Sequence, residues 1–110
     1  MTASQDLKIN DDISVPYWEL VETFTRSSGP GGQNVNKVSS AVQLRWNVDA
    51  SSIPAPVKER FRRLWVNRIT KEGDVIVDAS EHRSQARNRD AARERLTLMI
   101  RKATQKRKRR

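Results

Sequence analysis

Seven residues, Ser28-Gly29-Pro30-Gly31-Gly32-Gln33-Asn34, constrain this chain more than any others. Three of its four glycines fall within them. Glycine reaches φ > 0 at no steric cost and lets another molecule approach the backbone. Pro30 fixes one φ, so the stretch is not structureless. Nothing in it can pack a core. The chain must fold around a loop that presents main-chain N–H groups and the Gln33 amide outward. The plain alternative is a glycine-rich hairpin connection without chemistry, because Gly and Pro mark turns everywhere. Two phosphate-loop readings fail at once. Lys37 follows Asn36 where a P-loop needs Gly-Lys, and Asn34 stands where a dinucleotide fingerprint needs its third glycine.

The flanks predict what the loop connects. Trp18–Thr25 partly alternates, with Trp18, Leu20, Glu22 and Phe24 on one face, and predicts a strand. Glu22 is the exception on that face, either a strand-end charge or a polar partner for the loop. Beyond the loop, Val42, Leu44, Trp46 and Val48 alternate with Gln43, Arg45 and Asn47, as in a half-buried strand. The connection is too long for a tight turn, and compact domains seldom keep such a connection without a function. A helix follows, capped by Ser51 or Ser52, with Val57, Phe61, Leu64, Trp65 and Ile69 on one face and Glu72-Gly73-Asp74 ending it. Asp74–Ala79 is a third strand. A second helix, capped by Ser84, turns Ala92, Leu96, Met99, Ile100 and Ala103 to one side.

These elements predict a single α+β domain: a small mixed sheet in the order strand, loop, strand, helix, strand, helix, with the helices on one face. It should bury two or all three tryptophans. Residues 1–12 are polar and read as a flexible leader, residues 13–103 as the folded domain, and residues 104–110 as a basic tail.

Charge is distributed unevenly. Residues 1–80 hold ten Lys or Arg and ten Asp or Glu, whereas residues 81–110 hold twelve and three, so the net charge of +9 sits in the last thirty. Arg101, Lys102, Lys106, Arg107, Lys108, Arg109 and Arg110 make the end most basic. Such a block is either a solvated terminus or a clamp on nucleic acid phosphates. There is no cysteine, hence no disulfide and no thiolate metal site. No apolar run has membrane-spanning length, and the N-terminus has neither a secretory nor a transit pattern, so the expectation is a cytoplasmic protein away from membranes.

The catalytic inventory is sparse. No Cys is present, no serine has a base beside it in a motif, and the lone His82 is far along the chain from the loop. His82 reads as a surface or helix-start residue. No cluster has metal-ligand spacing. Backbone N–H groups can nonetheless stabilise charge developing on oxygen without an acid or base of their own, if a rigid environment positions the substrate.

The run Arg26-Ser27-Ser28-Gly29-Pro30-Gly31-Gly32-Gln33-Asn34-Val35-Asn36-Lys37-Val38-Ser39-Ser40-Ala41-Val42 resembles the signature of the class I peptide-chain release factor family. Its GGQ tripeptide is matched by Gly31, Gly32 and Gln33. Ser51-Ser52-Ile53-Pro54, Lys58-Glu59-Arg60 and Arg83-Ser84-Gln85 with Asn88 and Arg89 are similar to the stand-alone alternative ribosome-rescue factor B type. The similarity runs from about Val15 to about Ile100. It implies a compact α+β catalytic domain and a ribosome-dependent peptidyl-tRNA hydrolase without cofactor or metal. The implied partners are the peptidyl transferase centre with its 23S-type rRNA, the P-site peptidyl-tRNA and the small-subunit mRNA channel, met as a monomer.

The resemblance also implies residue roles. The Gln33 backbone N–H would stabilise the transition state or the leaving 3′-oxygen, and its side chain would place water. Gly31 and Gly32 would supply backbone angles and close approach. Ser28, Gly29, Pro30 and Asn34 would shape the loop. Arg26, Asn36, Lys37, Arg83, Asn88 and Arg89 would touch ribosomal RNA. Arg101, Lys102 and Lys106 to Arg110 would enter the mRNA channel, although the family's tail usually runs further. About 25 residues precede the loop, which leaves no room for a codon-reading domain. The alternatives are a ribosome- or RNA-binding factor that keeps the loop without hydrolysis, and the excised catalytic domain of a codon-specific release factor.

Overall fold

The computed structural model describes residues 5–25 and 41–105. Its first ordered pieces are β1 (Leu7–Lys8) and β2 (Ser14–Val15), an antiparallel ribbon with Leu7 opposite Val15. Asn10 makes the turn between them. Its Oδ1 accepts from the backbone N–H of Asp12 at 2.9 Å and of Ile13 at 2.8 Å, the local bonding that suits Asn to turns. Leu7, Ile9 and Val15 are buried in the main core. The leader expected over residues 1–12 is thus corrected from Leu7 onward: the apolar side chains Leu7 and Ile9 gain more from burial than a polar neighbourhood suggests.

The strand expected from Trp18 starts later. Tyr17–Glu19 forms a 3-10 turn, closed by the Glu19 N–H donating to Pro16 O at 3.0 Å. Only then does β3 (Leu20–Thr25) begin. β3 pairs antiparallel with β4 (Ala41–Asn47), from Leu20 opposite Trp46 to Thr25 opposite Ala41. β4 pairs on its other edge with β5 (Asp74–Ala79), from Val42 opposite Ala79 to Asn47 opposite Asp74. The α+β class and element order are as expected. Every pairing among the described residues is antiparallel, where the sequence reading expects mixed directions.

Two helices cover one face of this sheet: α1 (Ala55–Leu64) and α2 (Gln85–Thr104). Val42, Leu44 and Trp46 of β4 and Val75, Val77 and Ala79 of β5 face them and are buried, the inward alternation of a one-sided sheet. Phe61 of α1 meets Trp46 edge-on, with centroids 5.2 Å apart, a geometry aromatic quadrupoles favour. Ala92, Leu96, Met99, Ile100 and Ala103 of α2 complete the core as predicted. Two tryptophans take part, Trp46 fully and Trp65 partly, while Trp18 is 71% exposed on the 3-10 turn.

Two helix boundaries differ from the prediction. α1 is capped at Pro54 with no side-chain bond, and Pro56 lies in its first turn. The expected caps are engaged elsewhere: Ser51 Oγ and Ser52 Oγ donate to the Glu19 carboxylate at 2.6 and 2.7 Å. The helix also stops at Leu64 instead of running to Glu72. Trp65 leaves the helical conformation with its indole N–H donating to Met99 O at 3.1 Å, and a 3-10 turn over Val66–Arg68 follows. Gly73 then turns the chain into β5 at φ +92°. A Cβ there would stand 2.5 Å from Asp49 Oδ2, so the backbone angle favours glycine and the exposed Asp49 carboxylate would have to shift.

Candidate functional site

Gly31, Gly32, Gln33, Ser28, Gly29, Pro30, Asn34, Arg26, Asn36 and Lys37 all lie outside the described residues. What is defined is the root from which their segment leaves the sheet. Thr25 and Ala41 are paired across β3 and β4, so the two ends of residues 26–40 are held side by side by an antiparallel ladder. β5 ends and α2 begins at the same edge of the molecule, because Ala79 pairs with Val42.

A charged cluster braces this root. Glu22 points inward from β3 and receives two arginines of α2. Arg89 Nε donates to Glu22 Oε1 at 3.0 Å, and Arg93 Nη1 donates to Glu22 Oε2 at 2.8 Å. The side chains of Glu22, Arg89 and Arg93 are 13%, 17% and 10% exposed. Positions 89 and 93 share one face of the helix, so one acid on a strand can bind both. Arg93 also donates through Nη2 to Gln5 O, which ties in the N-terminal segment. The Arg89 guanidinium lies 5.9 Å from the Phe24 ring centroid, within cation–π range. The open question of Glu22 is resolved here: its partners are on α2. Arg93 is the residue that sequence reasoning misses. Its signal was available, an acid on the apolar face of a strand together with arginines at i and i+4.

The other expected RNA contacts around α2 divide. Arg83 is exposed just before the helix. Asn88 is 0% exposed and cannot reach RNA. Its Oδ1 accepts from His82 N at 2.9 Å and its Nδ2 donates to His82 O at 3.0 Å. With Ser84 Oγ accepting from Arg87 N at 3.2 Å, it fixes the start of α2. Asn88 is therefore corrected from an RNA contact to a buried brace. Arg89 is partly buried against Glu22 and Phe24. This corrects its expected role as a surface contact, because its guanidinium is engaged within the protein.

The end predicted as a tail is in part helix. Arg101 and Lys102 belong to the last turns of α2 and are exposed. Arg101 Nε donates to Ile9 O at 3.0 Å. Lys106, Arg107, Lys108, Arg109 and Arg110 lie outside the described residues. The twenty residues of α2 span about 30 Å at 1.5 Å per residue. The loop root and the start of the basic end therefore stand at opposite ends of one helix.

Two carboxylates are electrostatically perturbed. Burial pushes Glu19 up, but hydrogen bonds from Ser51 Oγ, Ser52 Oγ, Ser52 N and Trp46 Nε1 together hold it below its ordinary value. Exposed Glu81 is lowered by its own backbone N–H, and further by Arg95 and His82. Glu19 stands at the end of β3 away from the root, and Glu81, two residues past β5, is paired with Arg95. Among the described residues no group of three or more His, Cys, Asp or Glu could hold a metal, and no helix is long and apolar enough to cross a membrane.

Comparison with known proteins places this geometry. The chain is 46% identical over 94 residues to the peptidyl-tRNA hydrolase ArfB of Pseudomonas putida, covering 86% of this chain and 69% of that protein. It is 36% identical over 92 residues to the large ribosomal subunit protein mL62 of Mus musculus, covering 83% of this chain and 45% of that one. Peptide chain release factor 1 of Leuconostoc citreum is 35% identical over 89 residues, 81% of this chain but 18% of its own length. The profile of the RF-1 domain matches residues 7–110. The matched span takes in β1, the braced root, the glycine loop and all of α2, and the chain belongs to the RF-1 domain family, the GGQ-containing class I release factors.

Proposed function

We propose that this chain is a peptidyl-tRNA hydrolase that works on the ribosome and frees stalled nascent peptides without reading a codon. The observation that carries this reading is the similarity to the Pseudomonas putida peptidyl-tRNA hydrolase over 86% of the chain, joined to a GGQ segment whose two ends are pinned together by β3 and β4. The reaction is hydrolysis of the ester between the nascent peptide and the tRNA 3′-oxygen. Water attacks the carbonyl carbon, and the 3′-oxygen leaves with a proton.

In this reading the protein brings oriented dipoles and the ribosome brings the substrate. The Gln33 N–H donates to the oxygen that gains charge in the transition state, and the Gln33 amide positions the water. Gly31 and Gly32 allow the approach that a Cβ would block. Arg26, Asn36, Lys37 and Arg83 face ribosomal RNA around the loop. The cations from Arg101 to Arg110 hold RNA at the opposite end of α2, in keeping with an mRNA channel distant from the catalytic centre. The protein acts as a monomer.

The test is single-turnover peptide release from ribosomes stalled at an mRNA 3′ end. Replacing one positioned donor or its backbone freedom typically costs about 10²–10³ in rate. Gly32→Ala should fall by that order, and Gln33→Ala, which keeps the backbone N–H and loses only the water-positioning amide, by less, while ribosome affinity stays within about threefold. Release by Gly32→Ala at the parent rate would refute the assignment. A non-hydrolytic ribosome-associated role is the second reading, favoured by the mouse ribosomal-protein relative; tight ribosome binding with no release by the parent chain would select it.

A further inference from the structure

The C-terminal end of α2 carries an apolar hollow beside the cations already assigned to RNA. A hollow of about 380 Å³ lies against the partly buried Trp65 and is lined also by Leu98, Met99, Arg101, Lys102 and Gln105. A second, of about 360 Å³, is lined by Arg60, Arg63, Leu64, Lys102 and Gln105. They share Lys102 and Gln105, so they adjoin where α1 and α2 come together, and the two together are called the cleft. The floor is apolar: Leu64 and Leu98 are 52% and 50% exposed, and the Trp65 indole is anchored by its bond to Met99 O. The rim is cationic, with Arg60, Arg63, Arg101 and Lys102 and no acid.

Charge complementarity selects the occupant. The neighbouring residues 106–110 are all Lys or Arg, and they would meet like charge along this rim. A second copy of a chain with net charge +9 is disfavoured on the same ground. An aromatic ring fixed beside guanidinium and ammonium groups is instead the combination that holds single-stranded nucleic acid, with a base on the apolar surface and phosphates on the cations. The Nε atoms of Arg60 and Arg101 are bonded to Ala103 O and Ile9 O. Those bonds steady the two side chains while the termini of Arg63 and Lys102 remain exposed.

We infer that the cleft between α1 and α2 is a subsite for an unstacked nucleotide of single-stranded RNA, the base resting on Trp65 and Leu98 and the flanking phosphates on Arg63, Arg101 and Lys102. The inference rests on the reading that this chain works on RNA, but it assigns a second contact point about 20–25 Å along α2 from the helix start at the loop root. RNA gripped here would fix the far end of the domain while the glycine loop engages its own substrate.

The test uses the full chain and an octamer of adenosine ribonucleotides. The Trp65 indole N–H resonance and the Leu98, Lys102 and Gln105 amides are followed by NMR during titration. The expected result is that these signals move together, that Leu98→Ser weakens binding about threefold to tenfold, and that Lys102→Glu weakens it further and flattens its salt dependence. Both substituted side chains are exposed, so the fold should tolerate them. Shifts confined to the opposite end of α2, or an unchanged affinity in Leu98→Ser, would overturn the subsite. Movement of the cleft signals by an acidic leucine-containing peptide but not by the RNA would overturn it in favour of a protein partner. Peptide release is measured on the same samples with Gly32→Ala as control. Release that depends on Gly32 beside a cleft indifferent to RNA sinks this inference alone, whereas RNA in the cleft with no release sinks only the hydrolase reading.

Discussion

At the scale of single residues, three carboxylates and amides near helix and strand ends do work that their sequence neighbourhood does not announce. Glu22 pairs with two arginines that are each less than a fifth exposed. Removing one partner of a buried ion pair leaves uncompensated charge, so Glu22→Ala should lower stability by about 2–4 kcal/mol, read from urea unfolding. Because Arg89 also packs on Phe24 at the loop root, release per bound ribosome should fall as well. Asn88→Ala removes both side-chain bonds to the His82 backbone and should cost about 1–3 kcal/mol while leaving the RNA affinity of the folded protein unchanged. Weaker RNA binding by the folded variant would restore Asn88 as an RNA contact. Glu19 sets the pH response. Its folded pKa is lowered, so its contribution is complete above the unfolded carboxylate pKa and is lost as pH falls through the folded value. Thermal melts should show Glu19→Gln less stable at neutral pH by about 1–2 kcal/mol, after discounting for partial exposure. Parent and variant should converge as pH falls below the lowered folded-state pKa of Glu19.

At the scale of elements, the alternation of β4, the strand β5 and the apolar face of α2 were all legible, because each is a local pattern with a period or composition of its own. The boundaries that were not legible share one cause. Ser51 and Ser52 are good helix caps by chemistry, yet the Glu19 carboxylate, 32 positions before Ser51, binds them first. The apolar spacing of Phe61, Leu64, Trp65 and Ile69 suits one helix, yet Trp65 turns its indole to Met99 and the helix ends. Gly73 marks the price of that exit: Gly73→Ala should destabilise by about 1–2 kcal/mol or more, since φ +92° and the contact with Asp49 both oppose a Cβ. A melting temperature equal to the parent's would show that the turn relaxes.

At the scale of the whole molecule, α2 runs from the root of residues 26–40 to the basic end and fixes where the chain can be cut. Ala103 is fully buried and Arg60 Nε donates to its carbonyl at 2.7 Å. Deleting residues 106–110 should leave the melting temperature within a few degrees and flatten the salt dependence of ribosome binding. Deleting from Arg101 should also destabilise the domain by opening its core beside Phe61 and Ile9. Equal stability of the two truncations would contradict the packing described. The sequence by itself determined the α+β class, the strands on either side of residues 26–40, the core face of α2, the family signature and the concentration of positive charge at one end. Each of these is written in contiguous residues or in a short-period pattern. Only the tertiary structure decided that Leu7 and Ile9 belong to the core, that Asn88 is a brace, that Glu22 holds Arg89 and Arg93, and that Trp65 floors a cationic cleft. Those facts arise from side chains 6 to 92 positions apart, and their partners are chosen by desolvation and geometry at closure, which no local pattern encodes.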